Sequence, residues 1–475
     1  MKKRFSLSPT QEGMLLHHLA GAELGVDVEQ MICVLPEDLR VDLLMRSWQK
    51  TVARHDMLRS RFDWTASPPM QEIETPGEIQ FRFTDWWGRT PEEQNREFDE
   101  FLIKDRQRGF DLSRLPLMRL AVFRMGEQDF RLIWTFHHAI LDGRSFTLIL
   151  REVFNQYDLS CQGKDDEPPL PPRYSEYISW LVSEKDEARS RRFWSEMLDG
   201  FSAPTPLAVA SSMDSVADST GRHGCVEKTL DTGFTSTLQS LAHDGEVTLS
   251  TVVQAAWALL LSRYSGETDV VFGVTRACRH LPFDGADRMV GVFINTLPLR
   301  IQVEPELSAR EFLKRLQNQF IAIRPFKHTS LASVHAWSSM APGSSLFDSL
   351  VVFERYDLTE FLQGQGGPWT RREFHLQEQT SYPVTVYGYA GSRLRLKISF
   401  SRARMDTAAA LRMMGHFENL LKGIAGHPDD PIGTLSILDD RETDQLLSKW
   451  NHTQLDYSRS ACIHDMIERN SRWGL

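Results

Sequence analysis

The chain is short of cysteine, of basic charge and of long apolar runs, and each shortage excludes a class of protein. Its five cysteines, Cys33, Cys161, Cys225, Cys278 and Cys462, are scattered without a CxxC pair. That excludes a disulfide scaffold or a cysteine-based zinc site and suits a reducing cytoplasm. Lysine and arginine number 54 against 64 acidic residues, a formal net charge of −10, whereas a nucleic-acid binder would carry a basic footprint. The longest nearly apolar stretch, Val252 to Leu261, is too short to cross a bilayer. Met1 to Pro9 lacks the apolar run of a secretory signal. What is present is 475 residues, 41% hydrophobic and 25% charged, an ordinary globular composition. At about 150 residues per domain, the length allows two to three domains. The expectation is a cytoplasmic monomer, an enzyme or binding protein, with no nucleic-acid or membrane partner.

Local patterns point to an α/β arrangement. Ser8-Pro9-Thr10-Gln11 predicts a helix start, with Ser8 as N-cap, Pro9 as first helical residue and Gln11 completing a capping box; Gly21 stops the helix. Val41, Leu44, Met45, Trp48 and Val52 recur at helical spacing. Leu58 to Trp64 alternates as a strand that would put Arg59 and Arg61 on one face, and residues 118–125 and 130–136 read as a hairpin. Gly163 to Pro172, with four prolines and three acids, is the best internal boundary. The Ser/Ala/Asp-rich stretch 208–220 reads as a long surface loop. Beyond it come a buried helix over Ser250 to Tyr264, a strand from Asp269 to Val274, an alternating strand around Leu394 to Phe400, and a helix capped by Asp406. Helices alternate with strands in both halves, which favours two α/β lobes.

The sharpest feature is His137-His138-Ala139-Ile140-Leu141-Asp142-Gly143, between the apolar strand ending at Phe136 and a helix with a buried stripe from Phe146 to Tyr157. Ser145 is a candidate N-cap of that helix. Paired histidines and a carboxylate suggest a metal site, but adjacent residues at a strand end point to opposite faces and should not chelate one ion; no metal is expected. The other readings are a core histidine beside a turn, and a general base held on a rigid strand end.

The string HHAILDG fits HHxxxDG, and on it the chain resembles the condensation domains of nonribosomal peptide synthetases, within the chloramphenicol acetyltransferase-like superfamily. The resemblance continues through Leu7 to Met14, Arg54 to Phe62, Asp269 to Arg276, Met289 to Arg300, His328 to Leu331 and Leu346 to Glu354, in the family's order. It implies two acyltransferase-like lobes, 1–172 and 173–430, as a V-shaped pseudo-dimer around a tunnel, with 431–475 leading towards an adenylation domain. It implies amide formation by attack of an amine on a thioester, both partners tethered to phosphopantetheine arms or coenzyme A, with no covalently bound cofactor.

By the same resemblance His138 and Gly143 are the catalytic candidates. Asp142 is structural and paired with an arginine, Arg59 first and Arg279 second, while His137 is a packing residue. Asn295 lies on a latch over the tunnel, or simply ends a buried strand. Where relatives have Ser-Gly-Arg the chain has Ala277-Cys278-Arg279, and Cys278 reads as a small buried filler. His17-His18-Leu19 is similar to the start of a dual epimerisation/condensation signature, but the residues that follow leave its register. With six residues before Leu7, the expected subtype is a starter domain joining a fatty acyl group from acyl-CoA to an amino acid on a downstream carrier protein. An elongation domain with a peptidyl-carrier donor is the alternative within the family, and a non-catalytic carrier-docking module the alternative outside it.

Overall fold

The computed structural model describes residues 3–21, 25–164, 169–207, 223–453 and 462–471. The expected loop at 208–220 and the acidic middle of the 163–172 boundary lie outside them. Three sheets carry the fold. A small one, in the order β1 (Lys3–Ser6), β4 (Met70–Ile73), β3 (Ser60–Asp63), flanks the first half. A five-stranded sheet runs β12 (Glu373–Gln377), β2 (Val28–Leu35), β7 (Asp129–His137), β6 (Met118–Gly126), β5 (Gln80–Asp85). A six-stranded sheet runs β10 (Ile294–Gln302), β9 (Asp269–Ala277), β11 (Ser349–Glu354), β13 (Val384–Tyr389), β14 (Arg395–Ser401), β8 (His223–Thr229).

The local signals act where the sequence places them. Ser8 accepts from Gln11 N and the Gln11 side chain returns to Ser8 N, so the capping box forms and the helix Pro9–Leu19 follows. β6 and β7 form the hairpin. The helix Leu249–Ser265, apolar on nearly every side, is buried on nearly every side beneath the six-stranded sheet. Two differences are local. The segment around Arg59 is a 3-10 turn, Asp56–Arg59, before the short strand β3, so Arg59 and Arg61 are not on one strand face. Asp142, not Ser145, caps the helix Gly143–Cys161, its carboxylate accepting from Ser145 N.

The cores divide later than residue 172, and not cleanly. Tyr174, Tyr177 and Ile178, then Met289, Val290 and Phe293, and again Leu362, Trp369 and Phe374 are buried in the first core, with Trp48, Trp134 and Phe154. The second core begins at Trp194 and gathers Trp257, Phe272, Leu299 and Phe417. Strand β12, from the C-terminal half, completes the N-terminal sheet by pairing antiparallel with β2. The C-terminal half thus reaches into the first core at 289–293 and joins its sheet through β12, and a cavity lies between the reaching segments and the end of β7.

Candidate active site

The cavity measures about 1000 Å³ and is lined from both halves, by His138, Gly143 and Phe146 on one side and by Asn295, Leu350 and Glu354 on the other. His138 follows the last residue of β7. Its backbone N–H donates to Asp27 O at 2.7 Å, holding the strand tip in place. Its Nδ1 lies 2.6 Å from Leu141 O. A carbonyl only accepts, so Nδ1 carries the hydrogen, and in the neutral ring the lone pair is on Nε2. Burial alone would lower the imidazole's pKa; the charge of Glu29, the bond to Leu141 and the charges of Asp27 and Asp142 outweigh it and raise the ring above its ordinary value.

His137 faces the other way. It is 4% exposed, packs edge-on against Phe110 and accepts from Ala139 N through Nδ1 at 3.1 Å. Burial pushes it down to about 3, so it is neutral throughout the working range. The strand's alternation separates the two rings.

Asp142 is held on both oxygens. Oδ1 accepts from Ser145 N and from Arg279, each at 2.8 Å, and Oδ2 from Phe293 N at 2.9 Å. Burial alone would raise this carboxyl, but the Arg279 guanidinium and these donors hold it below the usual range. Arg279 also donates to Ser145 Oγ, Ala286 O and Met289 O and lies over the Phe293 ring. Gly291 completes the seam: its carbonyl accepts from Asp142 N and Ser145 Oγ, and a Cβ there would fall 2.1 Å from the Tyr174 ring. Arg59, the first expected partner of Asp142, is elsewhere. It donates to Asp56 and to Glu74 O, because the 3-10 turn aims it back at its own segment; Arg279 makes the bond.

Gly143, the first residue of the helix, lines the cavity, and a Cβ there would meet Glu354 Oε1 at 3.4 Å. Asn295, 3% exposed, donates to Lys327 O and Thr329 O, and Thr10 Oγ1 donates to Ile294 O. The Thr10 bond ties the first helix to the start of β10, and the Asn295 bonds tie β10 to residues 327–329. Cys278 is buried, and burial pushes its thiol up to about 12, as a filler rather than a nucleophile. Glu29, Glu354 and Glu378 also line the cavity; Glu354 ends the segment Leu346 to Glu354, and no motif in the sequence points to Glu29 or Glu378. The signal for these two is acidity in β2 and just past the end of β12, visible once the register is known.

Comparison with known proteins agrees with this architecture. The condensation-domain family matches residues 1–447. The chain is 34% identical over 466 residues to one of the linear gramicidin synthase subunits of Brevibacillus parabrevis, covering 98% of this chain and 6% of that protein. It is 36% identical over 431 residues to chondramide synthase cmdD of Chondromyces crocatus, covering 90% and 11%. The chain therefore spans a small fraction of these relatives' length. Among solved structures, the starter condensation domain of rhizomide synthetase in complex with C8-CoA superposes with a TM-score of 0.77 at 18% identity, covering 92% of this chain and 98% of that one. The first condensation domain of the calcium-dependent antibiotic synthetase gives 0.76 at 17% identity, covering 92% and 99%. With a chloramphenicol acetyltransferase-like fold and a family match over nearly its whole length, the chain belongs to the amide-forming condensation domains of nonribosomal peptide synthetases.

Proposed function

We propose that this domain acylates the amino group of a carrier-tethered amino acid, with His138 as the group that handles the proton. The amine adds to the thioester carbonyl, the C–N bond forms, and the C–S bond breaks to release a thiol. Nε2 of His138 accepts the proton of the developing ammonium and returns it to the departing sulfur, so no outside acid or base is consumed. The carrying observation is the bond from Nδ1 to Leu141 O, which leaves the basic nitrogen on the cavity side. Gly143 keeps the gap to Glu354 open, and its N–H lies in the helix's first turn, where no intrahelical acceptor exists. Asp142 and Arg279 act at one remove, fixing the loop that presents His138.

The donor in this reading is a fatty acyl-CoA, as in a starter domain, with a downstream adenylation domain and carrier protein supplying the acceptor. A second reading, a carrier-bound aminoacyl or peptidyl donor, is favoured by the identity to the linear gramicidin synthases. Intact mass of a loaded aminoacyl carrier, after incubation with a panel of acyl-CoAs or with acylated donor carriers, tests both. Acylation from coenzyme A thioesters supports the starter reading, acylation only from a carrier replaces it, and no acylation from either removes the proposal.

A further inference from the structure

The cavity wall beside His138 carries an acidic row that the amide-forming step does not use. In the β2–β7 ladder Val28 opposes His137, and the bond from His138 N to Asp27 O continues it. Asp27, in the turn before β2 with a positive φ, lines the cavity together with Glu29 and His138. On the other side of β2, Gln377 opposes Gln30, which sets Glu378 beside Glu29. Glu354 approaches from across the cavity at the end of β11. Like charges directly opposed on neighbouring strands destabilise a sheet, so the row is costly until a cation meets it.

His138 is the cation that faces this row, and its charge draws the acidity of Glu29 and Asp27 up; Arg106 and Lys397 nearby have partners of their own. Arg106 donates to Val28 O and Gln377 O at 2.6 and 2.7 Å, and Lys397 lies over the Tyr387 ring at 5.1 Å. Tyr389 donates to Glu378 Oε1 at 2.7 Å. Glu29 is 4% exposed, and its Oε2 has no hydrogen-bond partner among the described residues; nor has the buried hydroxyl of Tyr387. Both residues line the cavity. A buried acceptor facing a cavity without a partner is satisfied best by a charged donor. Burial, reinforced by Glu378 and Asp27, pushes Glu29 up to about 8 although His138 and Arg106 pull the other way. Burial and Glu378 bring Glu354 to about 7. In both, burial outweighs the charge of His138, the direction shown by an acid group short of counter-charge.

We propose that Glu29, Glu378 and Asp27 form a subsite for a primary amine of the substrate beside His138, bound as its ammonium and yielding one proton to a carboxylate of this row before the free amine attacks. The subsite rests on the condensation reading, which brings an amine into this cavity. Two sources supply such a group, the α-amino group of the tethered amino acid or a basic side chain, and the subsite is assigned to the α-amino group.

Calorimetric titration of the whole chain with three stable amide analogues of acyl-pantetheine tests it without turnover. The probes carry an alanyl group, a propionyl group lacking the amine, and an N-acetyl-lysyl group with only a side-chain amine. The alanyl probe should bind about tenfold tighter than the propionyl probe, the scale of one charge-assisted hydrogen bond. Glu29→Gln should erase most of that preference and leave propionyl binding unchanged, and Glu378→Gln should reduce it. A preference shown by the N-acetyl-lysyl probe alone keeps the ammonium subsite but overturns its α-amino assignment. Equal binding of all three to the unaltered chain, a comparison that needs no variant, overturns the subsite while leaving the condensation reading intact. A preference that survives Glu29→Gln in folded protein overturns it as well, and binding of none of the three contradicts both.

Discussion

Asp142 and Glu29 are both buried carboxyl groups close to His138, and their surroundings differ in kind. Asp142 is saturated: an arginine and two backbone N–H groups occupy its oxygens, and its acidity is strengthened. Glu29 is left with an unpartnered oxygen beside other acids, and its acidity is weakened. A carboxylate whose donors all come from the protein holds the fold together, here by stitching the HHxxxDG loop to residues 279–293. A carboxyl group whose donors are missing waits for a ligand. Pairing, not burial or proximity to the histidine, separates structural charge from binding charge.

The contrast breaks most easily at the saturated end. Asp142→Ala leaves Arg279 buried without its carboxylate, and removing one partner of a buried pair costs about 3–5 kcal/mol; Arg279→Ala should cost a similar amount. Arg59→Ala, which removes hydrogen bonds within its own turn and to Glu74 O, should cost about 1 kcal/mol or less. Urea unfolding of the three variants checks this, and an Asp142→Ala midpoint equal to the parent's would overturn the seam. Next in size are opposite pH dependences. Asp142 has its folded pKa depressed, so its contribution is present above the ordinary carboxylate range and is lost as pH falls through the folded value. His137, pushed down to about 3 from 6.5, makes the unfolded chain bind more protons between those values, so stability falls further as pH drops below 6.5. Each such group contributes a slope of up to about 1.4 kcal/mol per pH unit.

Glu29 works in the other direction. Its folded pKa is raised from 4.5 to about 8, so the folded chain holds the extra proton and stability falls as pH rises through that window. Glu29→Gln should therefore be nearly neutral at pH 5 and stabilising by about 1–3 kcal/mol at pH 8.5. Thermal unfolding of parent and variant at the two pH values reads the sign, and a destabilised variant at pH 8.5 would place Glu29 with Asp142 among the structural charges. A smaller effect than that of the seam variants is expected at Asn295. Asn295→Ala removes donors to Lys327 O and Thr329 O, at a cost of about 1–2 kcal/mol, visible as a small shift in the same unfolding curves.

Much of this arrangement is legible in the sequence because its signals are local. The capping box at Ser8, the hairpin ending at His137 and the helix after Gly143 each depend on residues within a few positions of one another. The separation of His137 from His138 follows from strand alternation alone. What the sequence does not carry is long-range geometry. Arg279 lies 137 residues from Asp142, and only the folded seam selects it over Arg59, whose turn points it away. The acidic row depends on β12 returning from the second half to pair with β2; without that register Glu29 and Glu378 are two ordinary acids far apart. The division of the cores also escapes the proline signal at 163–172, because breaking a helix there does not decide which core the next helix, Tyr174–Ser183, joins.

The most direct test of the central claim is measured as rate, not as stability. Folded parent and His138→Ala domains, matched by their unfolding midpoints, would be given the same donor thioester and loaded aminoacyl carrier, and the amide product counted by intact mass over time. Removal of a positioned acid–base group should slow product formation by about 10²–10⁴-fold, with the midpoint little changed. A His138→Ala domain that keeps its fold and forms amide at the parent's rate would contradict the account.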